Sequence, residues 1–354
     1  MTISNDEINE IETSEENSEL FEHFRIVADK GQSPVRIDLF LLNRIENVSR
    51  NKIQQTAKAG NILVNNQIIK SNYKVKPNDV ITVVFSYPPR EVEILPEDIP
   101  INIVYEDDYL MVINKQPDLV VHPGHGNFSG TLLHALAWYF EKSGQKIENK
   151  FGYLVHRIDK DTTGLLLIAK DEITQSKLAK QFFDHTVERR YHALVWGGFE
   201  EENGTISGHI GRSIRDRKTM AVYEDGSVGK EAVTHFQVIK RYGYVTLVEC
   251  KLETGRTHQI RVHFKHIGHP LFNDSTYGGD NILKGTTFTK YKQFIENCFK
   301  LLPRQALHAK TLGFQHPVTK DFLQFDSELP VDLTQVIAKW ESYTGSRSLE
   351  EFLD

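Results

Sequence analysis

Cysteine is nearly missing from this chain: in 354 residues only Cys250 and Cys298 occur. Two thiols cannot build the disulfide framework of a small secreted scaffold or a four-thiolate zinc site, so both read as small buried hydrophobes. No apolar run approaches the roughly 18 residues that a membrane-spanning helix needs. The first twenty residues (MTISNDEINEIETSEENSEL) are acidic and polar where a secretory leader would be basic and then apolar. The expectation is a cytoplasmic protein with no membrane partner. Phosphate-cradling loops are missing as well: GHGNFSG at 124–130 is not GxGxxG, and no GxxxxGK(S/T) occurs. The histidines crowded at 258, 263, 266 and 269 lack an HExxH spacing and have no cysteine nearby, so no metal centre is expected.

What is present is ordinary material for folding. Hydrophobic residues make up 39% and charged residues 25%, which excludes a disordered or fibrous chain. The length suits two domains, because single cores stop growing beyond roughly 250–300 residues. The net charge of −6 argues at first against a nucleic-acid partner, but the charge is unevenly spread. Residues 1–30 carry nine acids against Arg25 and Lys30. Residues 35–90 carry nine bases, among them Arg36, Arg50, Lys52 and Lys58, against Asp38, Glu46 and Asp79. A basic segment therefore follows an acidic tail, and it is either a solvated surface or a nucleic-acid-binding face.

Residues 1–20 have too little apolar surface to offset their ordering entropy and are expected to be disordered; the acidic tail as a whole is placed at 1–30. From Val35 the pattern turns helical, with Ile37, Leu39, Phe40, Leu41 and Ile45 on one face. Ser49 is positioned to cap a second helix through Ile53 and Ala57, and Gly60 stops it. NILVNNQIIK and KVKPNDVITVVF follow as short strands with turns at Asn65-Asn66 and Pro77-Asn78-Asp79. This gives a small domain at 31–90 built of two helices and a β-hairpin. The Pro-rich, charged stretch at 87–98 marks its boundary. Beyond it, at 91–354, short strands such as GLLLIAK and RYHALVWG mix irregularly with helices expected at 131–143, 172–184, 257–267, 288–300 and 331–343. That order predicts an α+β domain with a mixed, mostly antiparallel sheet.

The densest polar cluster is HRIDKDTTG at 156–164, which abuts the apolar strand LLLIA; a polar loop on a buried strand is where scaffolds present reactive groups. Asp159 stands there among Arg157, Lys160 and the hydroxyls of Thr162 and Thr163. Such surroundings suit an ionised nucleophile or base, although a lone Asp in a charged loop is more often a turn or a surface ion pair. A second cluster, TGRTHQIRVHFKHIGHPLFND at 254–274, would open a helix capped by Thr257, with Ile260, Phe264 and Ile267 inward. Periodicity does not place Arg261, but its fork could hold a carboxylate from a neighbouring loop in one orientation.

HRIDKDTTGL closely resembles the HRLDxxTSGL signature of the RluA class of RNA pseudouridine synthases, with Ile for Leu and Thr for Ser. VINKQPDLVVHP at 112–123, ERRYHALVWG at 188–197, the 254–274 segment and LHAKTLGFQHP resemble further segments of that family in the same order, over about residues 95–330. VRIDLFL, SRNKIQ and GNILVNNQIIKSNYKVKPNDVI resemble an RNA-binding module shared with a small-subunit ribosomal protein. The resemblance implies a catalytic domain in which Asp159 is the reacting carboxylate, Tyr191 stacks on the target base and serves as a base, and Arg261 pairs with Asp159. It implies that Arg157 fills the gap left by an extruded nucleotide, with His156, Arg256, Arg36, Arg50, Lys52 and Lys58 contacting RNA. It also implies a monomer that needs no cofactor or metal and acts on structured RNA, with large-subunit ribosomal RNA favoured over transfer RNA, while an inactive RNA-binding protein would lack the intact catalytic set.

Overall fold

The structure is a computed structural model and describes residues 21–45, 48–85, 94–123, 127–145, 152–214, 216 and 219–345. The disorder expected for residues 1–20 falls outside them. The chain divides between residues 92 and 93 into two compact units, each taken here by itself.

The first unit runs β1 (Phe21–Val27), β2 (Val35–Arg36), α1 (Ile37–Leu42), α2 (Arg50–Lys58), β3 (Ile62–Val64), β4 (Gln67–Ile68), β5 (Lys74–Val75) and β6 (Val80–Phe85). One sheet has the order β1-β6-β3-β4, and β2 pairs separately with β5. The strand β1 corrects the expectation of an acidic tail reaching residue 30. Its side chains are mostly exposed, and an antiparallel backbone ladder to β6 holds it, a signal that composition does not carry. Elsewhere local chemistry explains the elements. The Ser49 side chain accepts from the Lys52 amide and caps α2. Asn65 and Asn66 take positive φ values of 50° and 65°, the conformation that a two-residue hairpin between β3 and β4 demands. Ile37, Phe40 and Leu41 of α1 pack with Ile53 and Ala57 of α2 against Ile62, Val64, Ile81 and Val83.

The second unit runs β7 (Asn102–Glu106), β8 (Leu110–Lys115), α3 (Leu132–Ser143), β9 (Tyr153–Leu154), β10 (Thr163–Ala169), α4 (Glu172–Phe183), β11 (Glu188–Trp196), β12 (Asn203–Arg212), β13 (Met220–Tyr223), β14 (Lys230–Arg241), β15 (Val245–Leu252), α5 (Gln259–His266), α6 (Thr289–Leu301), β16 (Leu307–Gln315), β17 (Phe322–Asp326) and α7 (Val331–Gly345). One 11-stranded sheet carries the order β13-β12-β14-β15-β11-β16-β10-β8-β7, with β17 on β16 and β9 on β10. Among the described residues only β10 and β16 pair in parallel, so the architecture is α+β with an antiparallel-dominated sheet. Period-two alternation sorts the core onto two faces. Met111, Ile113, Leu166, Ile168, Tyr191 and Ala193 meet α3 and α5 on one side. Leu110, Val112, Leu165 and Leu167 meet Leu178 of α4 on the other, while Leu194 and Trp196 face α6 and α7. A strand buried on both faces reads as an unbroken apolar run, which is why LLLIA lacks alternation.

Gly164 is the point where the polar loop enters this sheet. Its φ is +112°, and a Cβ there would lie 2.2 Å from the Ala309 carbonyl oxygen. The glycine thus permits the close β10–β16 crossing rather than a turn.

Within the basic segment the fully buried Asp38 accepts two hydrogen bonds from Arg36 (3.1 and 3.0 Å), one from Arg50 (3.1 Å) and one from Gln54 (2.6 Å). Burial alone would raise this carboxyl, but the bonds from Arg36, Gln54 and Arg50 outweigh it and hold the group at about 2. We predict that Asp38→Asn lowers the stability of the first unit by about 2 kcal/mol, the scale of lost hydrogen bonds between charged groups. Because the folded-state pKa lies below the ordinary carboxylate value, this stabilisation is complete above about pH 4 and disappears as pH falls through about 2. Amide hydrogen exchange of α1 and α2 in the full chain, parent against variant, measures it; identical exchange would remove Asp38 as the organising charge.

Candidate active site

The loop 157–162 precedes β10 and is held from beneath by two cations. Lys115, buried at the end of β8, donates to the carbonyls of Gln116, Leu119 and Lys160 at 2.7, 2.9 and 2.7 Å. Burial pushes its pKa down to about 7, with the negative charge of Asp161 opposing. Arg304 pairs with Asp332 and donates to the Asp161 carbonyl at 3.0 Å. The loop closes on itself where the Thr162 amide reaches the Asp159 carbonyl at 3.1 Å. These bonds fix the backbone from Asp159 to Thr162.

The carboxylate itself is met by Arg261 of α5. Arg261 Nη1 donates to Asp159 Oδ2 at 3.0 Å, while Nε and Nη2 form a two-pronged pair with Asp274 at 2.7 and 2.8 Å. The fork therefore grips Asp274, which is fully buried, and lends a single prong to Asp159. Burial disfavours the Arg261 charge, but Asp274 and then Asp159 hold it firmly protonated, above its ordinary range. Asp274 also accepts from the Thr276 and Tyr277 amides. It escaped the sequence reading, although the signal was there: it is the only acid between Glu253 and Asp280.

A histidine and a tyrosine complete the cluster. The Tyr277 ring lies 5.1 Å from the Arg261 guanidinium, and its hydroxyl accepts from the Met220 amide at 3.1 Å. The same hydroxyl is 2.9 Å from His258 Nδ1, and burial pushes it up to about 12, so it is a phenol donor. Assigning its proton to Nδ1 leaves the imidazole proton on Nε2, which faces Asp159 Oδ1 at 4.0 Å. Burial lowers the pKa of His258, Asp159 opposes this and Arg261 reinforces it. Among the described residues nothing closer than His258 engages Asp159 Oδ1. One carboxylate oxygen is anchored and the other is available, as a nucleophile or base requires.

These groups open into a cleft of about 590 Å³, inside the roughly 300–1,000 Å³ range of sites for small organic groups. Asp159, Tyr191 and Arg261, singled out from sequence, all line it, and so do His156, Arg157 and Arg256. Tyr191 is buried on β11. Burial pushes its hydroxyl above the ordinary value, the Arg189 charge pulls the other way and Asp159 adds to the rise. His156 turns inward: its Nε2 accepts from the Leu167 amide, its ring stacks on Phe182, and burial drives it down to about 3, so it is neutral. Arg157 is exposed at the mouth and donates to Thr257 Oγ1 at 3.2 Å. Arg256 donates to the Glu231 carbonyl.

Thr257 does not cap α5. The cap is His258, in a left-handed conformation with no capping bond from its side chain, because the turn is wound around Gln259 instead. Gln259 accepts from the Arg256 amide and the Thr254 hydroxyl and donates to the Val233 carbonyl and Thr234 Oγ1, fixing the start of the helix without a capping residue. In the first unit, Arg36 and Arg50 share Asp38, whereas Lys52 and Lys58 are exposed, with no ion pair among the described residues. Lys58 and Lys70 line a shallow cleft with Asn51, Gln55 and Asn72. Among the described residues no group of three or more His, Cys, Asp or Glu could hold a metal ion, and no helix is long and apolar enough to cross a membrane.

Comparison with known proteins agrees with this chemistry. The family described as RNA pseudouridylate synthase matches residues 109–266, and the S4 domain matches residues 35–81. An uncharacterized RNA pseudouridine synthase of Chlorobaculum parvum is 47% identical over 314 residues, covering 88% of this chain and 95% of that protein. The ribosomal large subunit pseudouridine synthase D of Zymomonas mobilis is 38% identical over 310 residues, 84% of this chain and 91% of that one. Among solved structures, human RNA pseudouridylate synthase domain containing 4 superposes with a TM-score of 0.52 at 25% identity, covering 68% of this chain and 93% of its own.

The charge cluster yields a direct test. Since Asp159 raises and Arg261 lowers the His258 pKa, Asp159→Asn should shift its titration to lower pH and Arg261→Met to higher pH. Nuclear magnetic resonance of ring-labelled histidine against pH reads both shifts. A His258 signal unmoved by either substitution would mean that the three groups are not electrostatically joined.

Proposed function

Because the chain belongs to the RNA pseudouridylate synthase family and is an RNA pseudouridine synthase, we propose that its substrate is large-subunit ribosomal RNA and that Asp159 is the reacting carboxylate. The observation that carries the second point is the half-anchored carboxylate: Oδ2 tied to a buried guanidinium, Oδ1 open to the cleft. The first point rests on relatives named ribosomal large subunit pseudouridine synthase D, such as that of Haemophilus influenzae at 37% identity over 85% of this chain.

In the reaction the bond from N1 to the sugar breaks, the base turns, and carbon 5 is joined in its place. Carbon 5 gives up a proton and N1 gains one, so nothing is consumed. Asp159 serves by attacking covalently or by removing a sugar proton; both routes use the same open oxygen. A base inside a helix cannot reach this oxygen, so the target uridine must leave its stack. On this reading Tyr191 is the platform beneath the extruded base, and Arg157, exposed at the mouth, takes the vacated space. The raised pKa of Tyr191 keeps it a phenol at neutral pH; proton removal from carbon 5 by its phenolate would become easier as pH rises. Lys52 and Lys58 in the first unit suit phosphate contacts that carry affinity without sequence information. On this reading the protein works as a monomer where ribosomal RNA is made, in the cytoplasm.

Pseudouridine mapping of large-subunit RNA from cells with and without the gene tests the substrate. At least one modified position should vanish with the gene, return with the parent and stay absent with Asp159→Asn; an unchanged ribosomal map would refute the substrate. Tyr191→Phe should bind RNA as tightly as the parent yet lose the single-turnover rate and its rise with pH. A parent-like pH–rate profile would take the hydroxyl out of the chemistry.

A further inference from the structure

Arg189 is a buried cation without a counter-charge. It lies on β11 at 8% exposure and lines the cleft. Its Nε has no hydrogen-bond partner, and among the described residues no carboxylate pairs with it; its contact is the Phe182 ring, 5.1 Å from the guanidinium carbon. The contrast with Arg261, equally buried but shared between two carboxylates, is plain. The cleft lining holds Arg157, Arg189, Arg256 and Arg261 against a single acid, Asp159. Removing a charge from water without a partner costs several kcal/mol, so an isolated buried guanidinium marks a place where an anion is meant to arrive.

The position specifies which anion. Arg189 and Tyr191 project to the same face of β11, two residues apart, or roughly 6.6 Å along the strand. That step is about the reach of a nucleoside from its base to its phosphate. A planar guanidinium matches a phosphate with two parallel bonds, and a full negative charge compensates a buried cation where a neutral uracil carbonyl does not. Space for the guanidinium is kept by Gly255 of the TGRTHQ turn: a Cβ there would stand 2.9 Å from Arg189 Nη1. We propose that Arg189 is an anion-binding subsite that receives a phosphodiester adjoining the extruded uridine and so sets how deeply the nucleotide enters. The proposal rests on the reading of the cleft as the place where a uridine is isomerised.

The experiment uses the full chain and a short synthetic RNA spanning a uridine that the mapping identifies. One linkage is replaced by a neutral methylphosphonate: immediately 5′ of the target, immediately 3′ of it, or several nucleotides away. Single-turnover rates, with enzyme in excess over RNA but below saturation, are measured for the parent and Arg189→Gln, with folding checked by thermal melts. Neutralising one adjoining linkage should slow the parent by roughly ten- to hundredfold, as for loss of a charge-assisted bond. Arg189→Gln should lose a similar factor on unmodified RNA, and the two changes together should cost no more than either alone. The distant linkage should multiply independently with the variant. Gly255→Ala, which crowds the guanidinium without removing charge, should fall between parent and Arg189→Gln. Independent multiplication at both adjoining linkages, or a parent-like rate for Arg189→Gln, would overturn the subsite. Should Arg189→Gln fail to fold, parent rates that are equal on all three neutralised RNAs overturn it alone. A parent that modifies none of the RNAs, the unmodified one included, would instead bring down the functional reading beneath it.

Discussion

The buried guanidinium of Arg261 is the joint on which the site depends. It ties the loop carrying Asp159, distant in sequence, to the helix α5 and the turn after it that carries Asp274. Two neighbouring carboxylates with no cation between them would repel each other in a medium that screens poorly, and a lone guanidinium there would be as costly. Together they are stable, and the geometry of each prong is dictated by the other two groups. Because the fork is committed to Asp274, Arg261 arrives at Asp159 already oriented, and Asp159 keeps an oxygen free. A pair in which the fork closed on Asp159 would hold the carboxylate more tightly and leave it less able to react.

The same economy runs through the surroundings. Lys115 and Arg304 direct donors to backbone carbonyls of the loop and so fix its path without touching the Asp159 carboxylate. Gln259 satisfies four groups at the start of α5 and sets the angle at which Arg261 leaves the helix. Tyr277 supports the guanidinium with its ring and orients His258 with its hydroxyl. Each of these residues acts on the site through another one, which is how a flexible polar loop becomes a rigid presentation of a single carboxylate. Arg189 stands apart because, among the described residues, no carboxylate pairs with it.

Electrostatics also reconciles an acidic chain with an anionic partner. The net charge of −6 is unevenly spread along the chain: the first thirty residues are acidic, while the cleft lining carries four arginines and one aspartate. Within the first unit the buried Asp38 does not cancel the neighbouring arginines so much as arrange them, gathering Arg36 and Arg50 at one point. Local charge, not the sum, decides what a surface attracts.

Much of this was legible before any fold was drawn. The spacing of apolar residues located the helices of the second unit within a residue or two, Ser49 and Asn65-Asn66 declared their cap and turn, and the apolar run after Gly164 declared a buried strand. Those features depend on neighbours along the chain, where sequence is explicit. The polar loop ending at Gly164 likewise marked Asp159, since reactive groups and their turn residues lie side by side. The strand β1 was hidden because its stability comes from a ladder to residues about sixty positions away. Asp274 was hidden because its partner is reached only when α5 and the following turn fold back, and the lack of any counter-ion for Arg189 is a fact about space that no string of residues can display. Sequence by itself determined the chemistry available and the local elements that carry it. Tertiary structure decided which charges meet, which is left unpaired, and which oxygen of Asp159 faces the cleft, because burial and distance exist only once the chain has closed on itself.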